Sequence, residues 1–481
     1  MGSDSQFIKY PDLSLAQHIF SLGIAARTSQ TTSLNYLQNA IKEHKMAPLY
    51  RHLAHPTEGV LNSIGESTAQ AVNTPFKAPS RRASLVSSNL LPSKKLLSSG
   101  ILPWDEALYE QLKADNDKEL EEYQKEEEEA EEKAGETEVQ AVRSKRAEFW
   151  ARIGDKATIA AYEKVFDKTG PLGTKIDTVL AIIRIGLFFN DKAFVKKQVE
   201  RADILVESGG DWDRRNRLKA YKGLHLLTVR SYNLAAPLLL DSLSTFTSYE
   251  LCSYSSLVVY AVLAGSLSLK RVDFKAKVVD APEIKAILGD GEEKVPGADE
   301  EMKDVSSSTA ERASGLVNLA TLGSGSAVES QTETPLDFAS LAGLVNSLYG
   351  GNYRNFFLAL AAVEENFLTQ DRYLYEHRAW FVREMRLRGY QQLLQSYRVV
   401  GLATMAQAFG VSVDFLDKDL AKFIAGGRVS CTIDRVQGVI ETTRPDDKNK
   451  QYADVVKQGD ALITKLQKYG QAVRLRGSER A

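Results

Sequence analysis

The residues of this 481-residue chain that could do chemistry are few and poorly grouped. His52 and His55 form an H-x-x-H pair, but no carboxylate or cysteine stands near them to complete a metal site. Gly323-Ser324-Gly325 begins a G-x-G run; Val328 replaces the third glycine, and the surroundings are of low complexity. The sequence holds no HExxH, no G-x-S-x-G and no phosphate-cradling G-x-x-x-x-G-K-[ST]. His225 and His377 lie in helical runs and read as satisfied or surface histidines. Acidic pairs are so abundant that pairing alone says nothing about acid–base work. Arg81-Arg82-Ala83-Ser84 has the form of a basophilic kinase site, a pattern that arises often by chance. Cys252 and Cys431, the two cysteines, are far apart and fit a reducing compartment rather than a disulfide scaffold. No catalytic, cofactor or metal site is expected.

Bulk properties narrow the class further. A net charge of −2 gives no general pull toward nucleic acid or anionic membrane. No run of eighteen apolar residues is present and MGSDSQFIKYPD lacks a signal-peptide layout, so a soluble intracellular protein is expected. With 43% hydrophobic residues over this length, two or three folded domains are expected.

The elements change character once, between residues 397 and 444. Val399, Leu402, Ala403, Ala406 and Phe409 keep helical spacing up to Gly410. Val413, Leu416, Leu420, Phe423 and Ile424 predict a second helix, closed by Gly426-Gly427. Val429, Cys431 and Ile433 then alternate with polar residues as a half-buried strand does, and a second extended run covers 437–443. Helix, turn, helix and two strands is the order of a winged helix. A DNA-reading helix needs Arg, Lys, Asn or Gln near its start. The second helix offers Asp414, Asp417 and Asp419 against Lys418 and Lys422, so a protein-binding module is the better reading.

Upstream the chain reads as mainly α. An N-terminal helical region covers 1–51, and a Ser/Thr/Asn/Pro-rich stretch, 52–99, is expected to be disordered. Between Asp115 and Glu138 stand thirteen acidic residues against three lysines: a solvated helix, or a face for a basic partner. The 100–288 region carries helix–turn–helix units with turns at Gly154-Asp155, Asn190-Asp191 and near Ser231, 36 and about 40 residues apart, the period of TPR-like helical-hairpin solenoids. Helices are expected over 249–269 and 272–288, and Pro237 is tolerable only near a first turn. Residues 209–221 offer Asp211 or Asp213 as helix caps and Arg214, Arg215 and Arg217 as bridges between hairpins. A second disordered loop is expected over 289–334, then helices across 335–397, with a turn at Gly351-Asn352. In 446–481, Tyr452, Val455, Val456, Gly459, Leu462, Ile463, Leu466, Tyr469 and Val473 stand at near-heptad spacing; this helix packs on its own domain or joins an intermolecular bundle.

Helical hairpins running into a C-terminal winged helix resemble PCI-domain proteins. GGDWDRRNRLKAY (209–221), STFTSYEL (244–251), AEFWARIGDK, VREMRLRGYQQLLQSYR and VIETTRPDDKNKQY resemble the PCI-type lid subunits of the 26S proteasome regulatory particle, of the non-ATPase regulatory subunit 6 type. The likeness covers most of 101–288 and 335–470 and implies a PCI module over 335–445 with its winged helix at 397–444. It further implies a non-catalytic scaffold in ubiquitin-dependent protein degradation, in the cytoplasm and nucleus. Implied partners are other PCI-domain lid subunits, a small acidic disordered lid subunit and the ATPase base, with no membrane and no specific nucleic acid. Winged helices of such subunits join through their strands, which would put Val429, Cys431 and Ile433 at a contact. Their last helices form a bundle, which would employ Tyr452, Val455, Val456, Leu462, Ile463, Leu466 and Tyr469. The paralogous PCI subunit of the COP9 signalosome is the alternative, and a nucleic-acid-associated PCI protein a weaker one.

Overall fold

The computed structural model describes residues 10–23, 27–56, 59, 102–133, 135–155, 157–289, 338–442 and 447–478. Most of the two stretches expected to be disordered, with Ser84, lies outside the described residues. His52, which falls in the first of them, belongs to the helix Ala47–Ala54. The chain divides into two compact units: Met1–Gly350 with Leu358–Arg383, and Gly351–Phe357 with Glu384–Ala481.

The first unit is a stack of helical hairpins. Glu136–Ile153 pairs with Thr158–Lys168, Leu172–Phe188 with Lys192–Glu207, and Trp212–Thr228 with Tyr232–Ser242. The same device makes each turn. Gly154 (φ 73°), Asn190 (φ 54°) and Arg230 (φ 68°) adopt the left-handed conformation just past a helix. The following amide then reaches back five residues: Asp155 N to Trp150 O at 3.3 Å, Asp191 N to Gly186 O at 3.0 Å, Ser231 N to Leu226 O at 2.8 Å. Asp191 also caps the next helix by accepting from Phe194 N at 3.0 Å. Glycine lets the hairpin arms meet closely: a Cβ on Gly223 would lie 2.7 Å from Leu239 Cδ2.

The stack continues beyond the expected repeats. Phe338–Gly350 packs on Pro282–Leu288 and Tyr254–Ser268, so this part of the expected 335–445 module belongs with the solenoid. Residues 249–253 are not helical, and the stretch read as one helix over 272–288 is broken into Arg271–Phe274, a π-helical turn Lys275–Val279, and Pro282–Leu288. Pro282, at the first position of its helix, accounts for the break before it. Pro237 is the sixth residue of Tyr232–Ser242, past the first turn where it was expected; buried Ala235, Ala236 and Leu239 hold that helix in the stack.

The GGDWDRRNR segment bridges layers, but its aspartates do not cap as expected. Asp211 makes no side-chain cap and instead accepts from Arg214, while Asp213 accepts from Thr247 Oγ1 at 3.0 Å. Arg214 grips Asp177 on Leu172–Phe188 (2.7 Å), and buried Arg217 reaches both Asp177 (3.0 Å) and Glu250 (2.8 Å). Arg215 donates to the Gly210 carbonyl, at 3.0 Å. Residues 370–377 close the unit over long sequence distances. Gln17 Nε2 donates to Gln370 O (2.7 Å) and Gln17 Oε1 accepts from Arg372 N (3.1 Å). The Arg372 guanidinium donates to Leu187 O (2.9 Å), and His377 Nε2 lies 2.9 Å from Thr228 O. Burial holds the Asp371 carboxyl above its usual range and pushes the Tyr373 hydroxyl to about 12.

Candidate partner interface

The second unit builds a small helical and three-stranded module. Leu402–Phe409 ends at Gly410 (φ 66°), where Val411 N reaches back to Ala406 O at 3.0 Å. Ser412 then caps Val413–Ala425 by accepting from Phe415 N at 3.3 Å. Three strands follow the order β1-β3-β2, antiparallel throughout: β1 Val399–Gly401, β2 Cys431–Asp434 and β3 Val439–Thr442. Val399 therefore belongs to a strand and not to the helix through Phe409 that its spacing predicts. It pairs with Glu441, and three residues of strand are too few for alternation to be read from the sequence. Of the apolar face expected on the second helix, Leu416, Leu420 and Phe423 are buried, whereas Val413 is exposed.

A single core fills the module: Leu387, Tyr390, Leu394, Met405, Phe409, Leu416, Leu420 and Ile440 pack together. Phe409 sits among Tyr353, Phe357 and Tyr390 at ring distances of 4.7, 5.0 and 4.9 Å. Charge is used inside as well. Arg428 grips Glu384 at 2.5 Å, and Gln391 donates to Arg428 O at 2.8 Å. Asp419, which the sequence places among the acids of a recognition helix, is buried. It accepts from Tyr390 Oη at 3.3 Å and lies 3.5 Å from Arg386 Nε. Asp417 pairs with Arg435 at 2.8 Å, so the second helix presents less free negative charge than its sequence suggests. Burial, then the nearby Asp419 carboxylate, raises the Tyr390 hydroxyl, and burial raises the Cys431 thiol.

The strand residues expected at a contact point inward. Val429 and Cys431 are core residues, and Ile433 is half-buried against the same core. Their side chains are spent on their own module, as the inner face of a half-buried sheet must be. What β2 offers outward is backbone: among the described residues it pairs with β3 alone.

The other expected residues behave differently. Asp447–Ser478 is one helix of 32 residues, about 48 Å long. Tyr452, Val455, Val456, Leu462, Ile463, Leu466, Tyr469 and Val473 are 55–71% exposed along it. Exposure of so many large apolar groups in one row is what a monomeric surface avoids. Neither Gly459 nor Gly470 has a neighbouring atom within 4 Å of where a Cβ would stand. Among the described residues no helix is long and apolar enough to cross a membrane, and no three His, Cys, Asp or Glu residues group as metal ligands.

Comparisons with known proteins fall on the same segments. Residues 105–277 match the family model "26S proteasome subunit RPN7", and 358–444 match the PCI domain. Residues 451–473 match "26S proteasome regulatory subunit RPN7/PSMD6 C-terminal helix". The chain is 38% identical to the 26S proteasome regulatory subunit RPN7 of Saccharomyces cerevisiae, over 92% of this chain and 87% of that protein. It is 35% identical to rpn7 of Schizosaccharomyces pombe over 97% of each. Similarity to COP9 signalosome complex subunit 1 of Arabidopsis thaliana is 22%, over 59% of this chain and 53% of that one.

Proposed function

Because the chain belongs to the 26S proteasome RPN7/non-ATPase regulatory subunit 6 family, we propose that it is a non-catalytic structural subunit of the proteasome lid in ubiquitin-dependent degradation. The observation that carries this reading is the terminal helix. Its apolar row is exposed along residues 452–473, on the segment that matches the family's C-terminal helix, and other subunits are its cover. Other PCI-domain lid subunits are the proposed neighbours there and at the backbone edge of β2. The helical stack is proposed to meet the ATPase base, and a small acidic disordered lid subunit is a further proposed partner, in the cytoplasm and nucleus. A scaffold also agrees with how the polar clusters are used: Arg217 pairs with Asp177 and Glu250, and Asp419 accepts from Tyr390, all within the chain's own units.

The test is purification of a tagged full chain from its native cell. Proteasome regulatory subunits should co-purify; recovery of signalosome subunits with no proteasome would refute the proposal. Removing everything after Pro445 should leave the helical stack folded and prevent incorporation.

A further inference from the structure

We propose that the terminal helix lies in a groove between two partner helices, which are acidic beside its second half and fill notches at Gly459 and Gly470 with bulky apolar side chains. This rests on the reading of residues 451–473 as partner-binding.

Three observations carry it. The first is the breadth of the apolar row. At 100° per residue, the exposed side chains from Tyr469 round to Val456 span about 140°. A two-stranded seam uses a and d positions alone; here Val456 and Ile463 add the e positions, so one partner helix leaves an edge uncovered. The second is the position of the glycines. Glycine weakens a helix interior relative to alanine. Gly459 and Gly470 both fall inside the apolar row, about 16 Å apart, with nothing near either Cβ position. They flank a ridge of Leu462, Ile463, Leu466 and Tyr469, leaving hollows at its two ends that a knob from a facing helix would fill. The third is charge. Asp454, Lys457 and Asp460 leave the first half close to neutral, whereas Lys465, Lys468 and Arg474 follow with no carboxylate through Ser478. Lys465 and Arg474 border the row on opposite sides, where carboxylates of two separate helices would meet them. A second copy of this chain fits poorly, since in either orientation the cationic half would face a half that is cationic or nearly neutral.

The experiment is competitive incorporation: full-length wild-type and variant chains, differently tagged, are co-expressed, and their ratio in the purified regulatory particle is measured. The double variant Gly459→Ala, Gly470→Ala strengthens the helix itself, so impaired folding of the helix cannot explain a loss. Its incorporation should fall on the order of tenfold, because two methyl groups overfill occupied notches. Lys465→Glu with Arg474→Glu should fall at least as far, while Lys457→Glu, on the opposite face, should match wild type. Incorporation of the alanine double variant at or above wild type would overturn the notches, and normal incorporation of the charge-reversed pair would overturn the acidic groove. Concentration-dependent self-association of the free chain, abolished by Leu462→Asp, would assign the row to a second copy instead. If the chain cut after Pro445 incorporates normally, the underlying reading fails; if only the alanine variant does, that reading survives and the notches do not.

Discussion

Replacing Arg217 with methionine should cost the first unit about 3 kcal/mol, and the structure says where the cost falls. Arg217 is 3% exposed and is held by Asp177 at 3.0 Å and Glu250 at 2.8 Å. Asp177, one-fifth exposed, keeps Arg214 at 2.7 Å and loses little. Glu250, with a side chain 7% exposed, keeps only the Tyr221 hydroxyl at 3.0 Å. The variant therefore leaves one carboxylate buried without a cation, and breaking a buried pair in this way costs about 3–5 kcal/mol. The lower end applies because methionine recovers the apolar contacts of the arginine stem. Adding Glu250→Gln removes the stranded charge, so the double variant should be more stable than Arg217→Met alone, a coupling visible in a double-mutant cycle. Urea unfolding of the full chain followed by circular dichroism measures both. A loss below about 1 kcal/mol for Arg217→Met, or a further loss on adding Glu250→Gln, would refute the assignment of the energy to Glu250.

Three other outcomes follow from the same geometry. Burial lowers the His18, His225 and His377 pKa values below the ordinary 6.5, so the unfolded chain takes up protons that the folded chain refuses. Their contribution is complete above about pH 6.5 and is lost as pH falls below it toward the depressed folded values; urea midpoints at pH 7.5, 6.5 and 5.5 should decline, and His377→Gln should flatten the decline. Gly223→Ala should destabilise by about 1–2 kcal/mol in the same assay, although alanine favours a helix, because its Cβ would stand 2.7 Å from Leu239 Cδ2. Phe409→Ala should cost the second unit about 3–5 kcal/mol and appear as early amide exchange in residues 384–442, since the ring is 1% exposed among three other aromatics.

How much of this was legible in the sequence depends on the reach of each interaction. Turns at Gly154 and Asn190 could be read because those residue types enter the left-handed region readily. Arg230 does the same with no such signal, and its turn was found only from the repeat spacing. Asp419 read as surface charge, since nothing local reveals that Tyr390 and Arg386 come to it from another helix. The closing segment was invisible for the same reason: Gln17 and Gln370 meet across 353 positions. The alternation of Val429, Cys431 and Ile433 points to a strand, which in the structure runs from Cys431 to Asp434 without Val429, and periodicity cannot say which body an apolar face meets. In β2 that face meets the module's own helices. In the terminal helix the same kind of signal marks side chains that remain exposed from Tyr452 to Val473. The difference lies in what the chain supplies nearby. β2 is followed directly by the hairpin partner β3 and lies over helices that cover it, whereas the terminal helix is the last described element and none packs on its row. An apolar pattern thus points to a partner when the described elements leave it uncovered, and that criterion is why residues 452–473 carry the proposed interface.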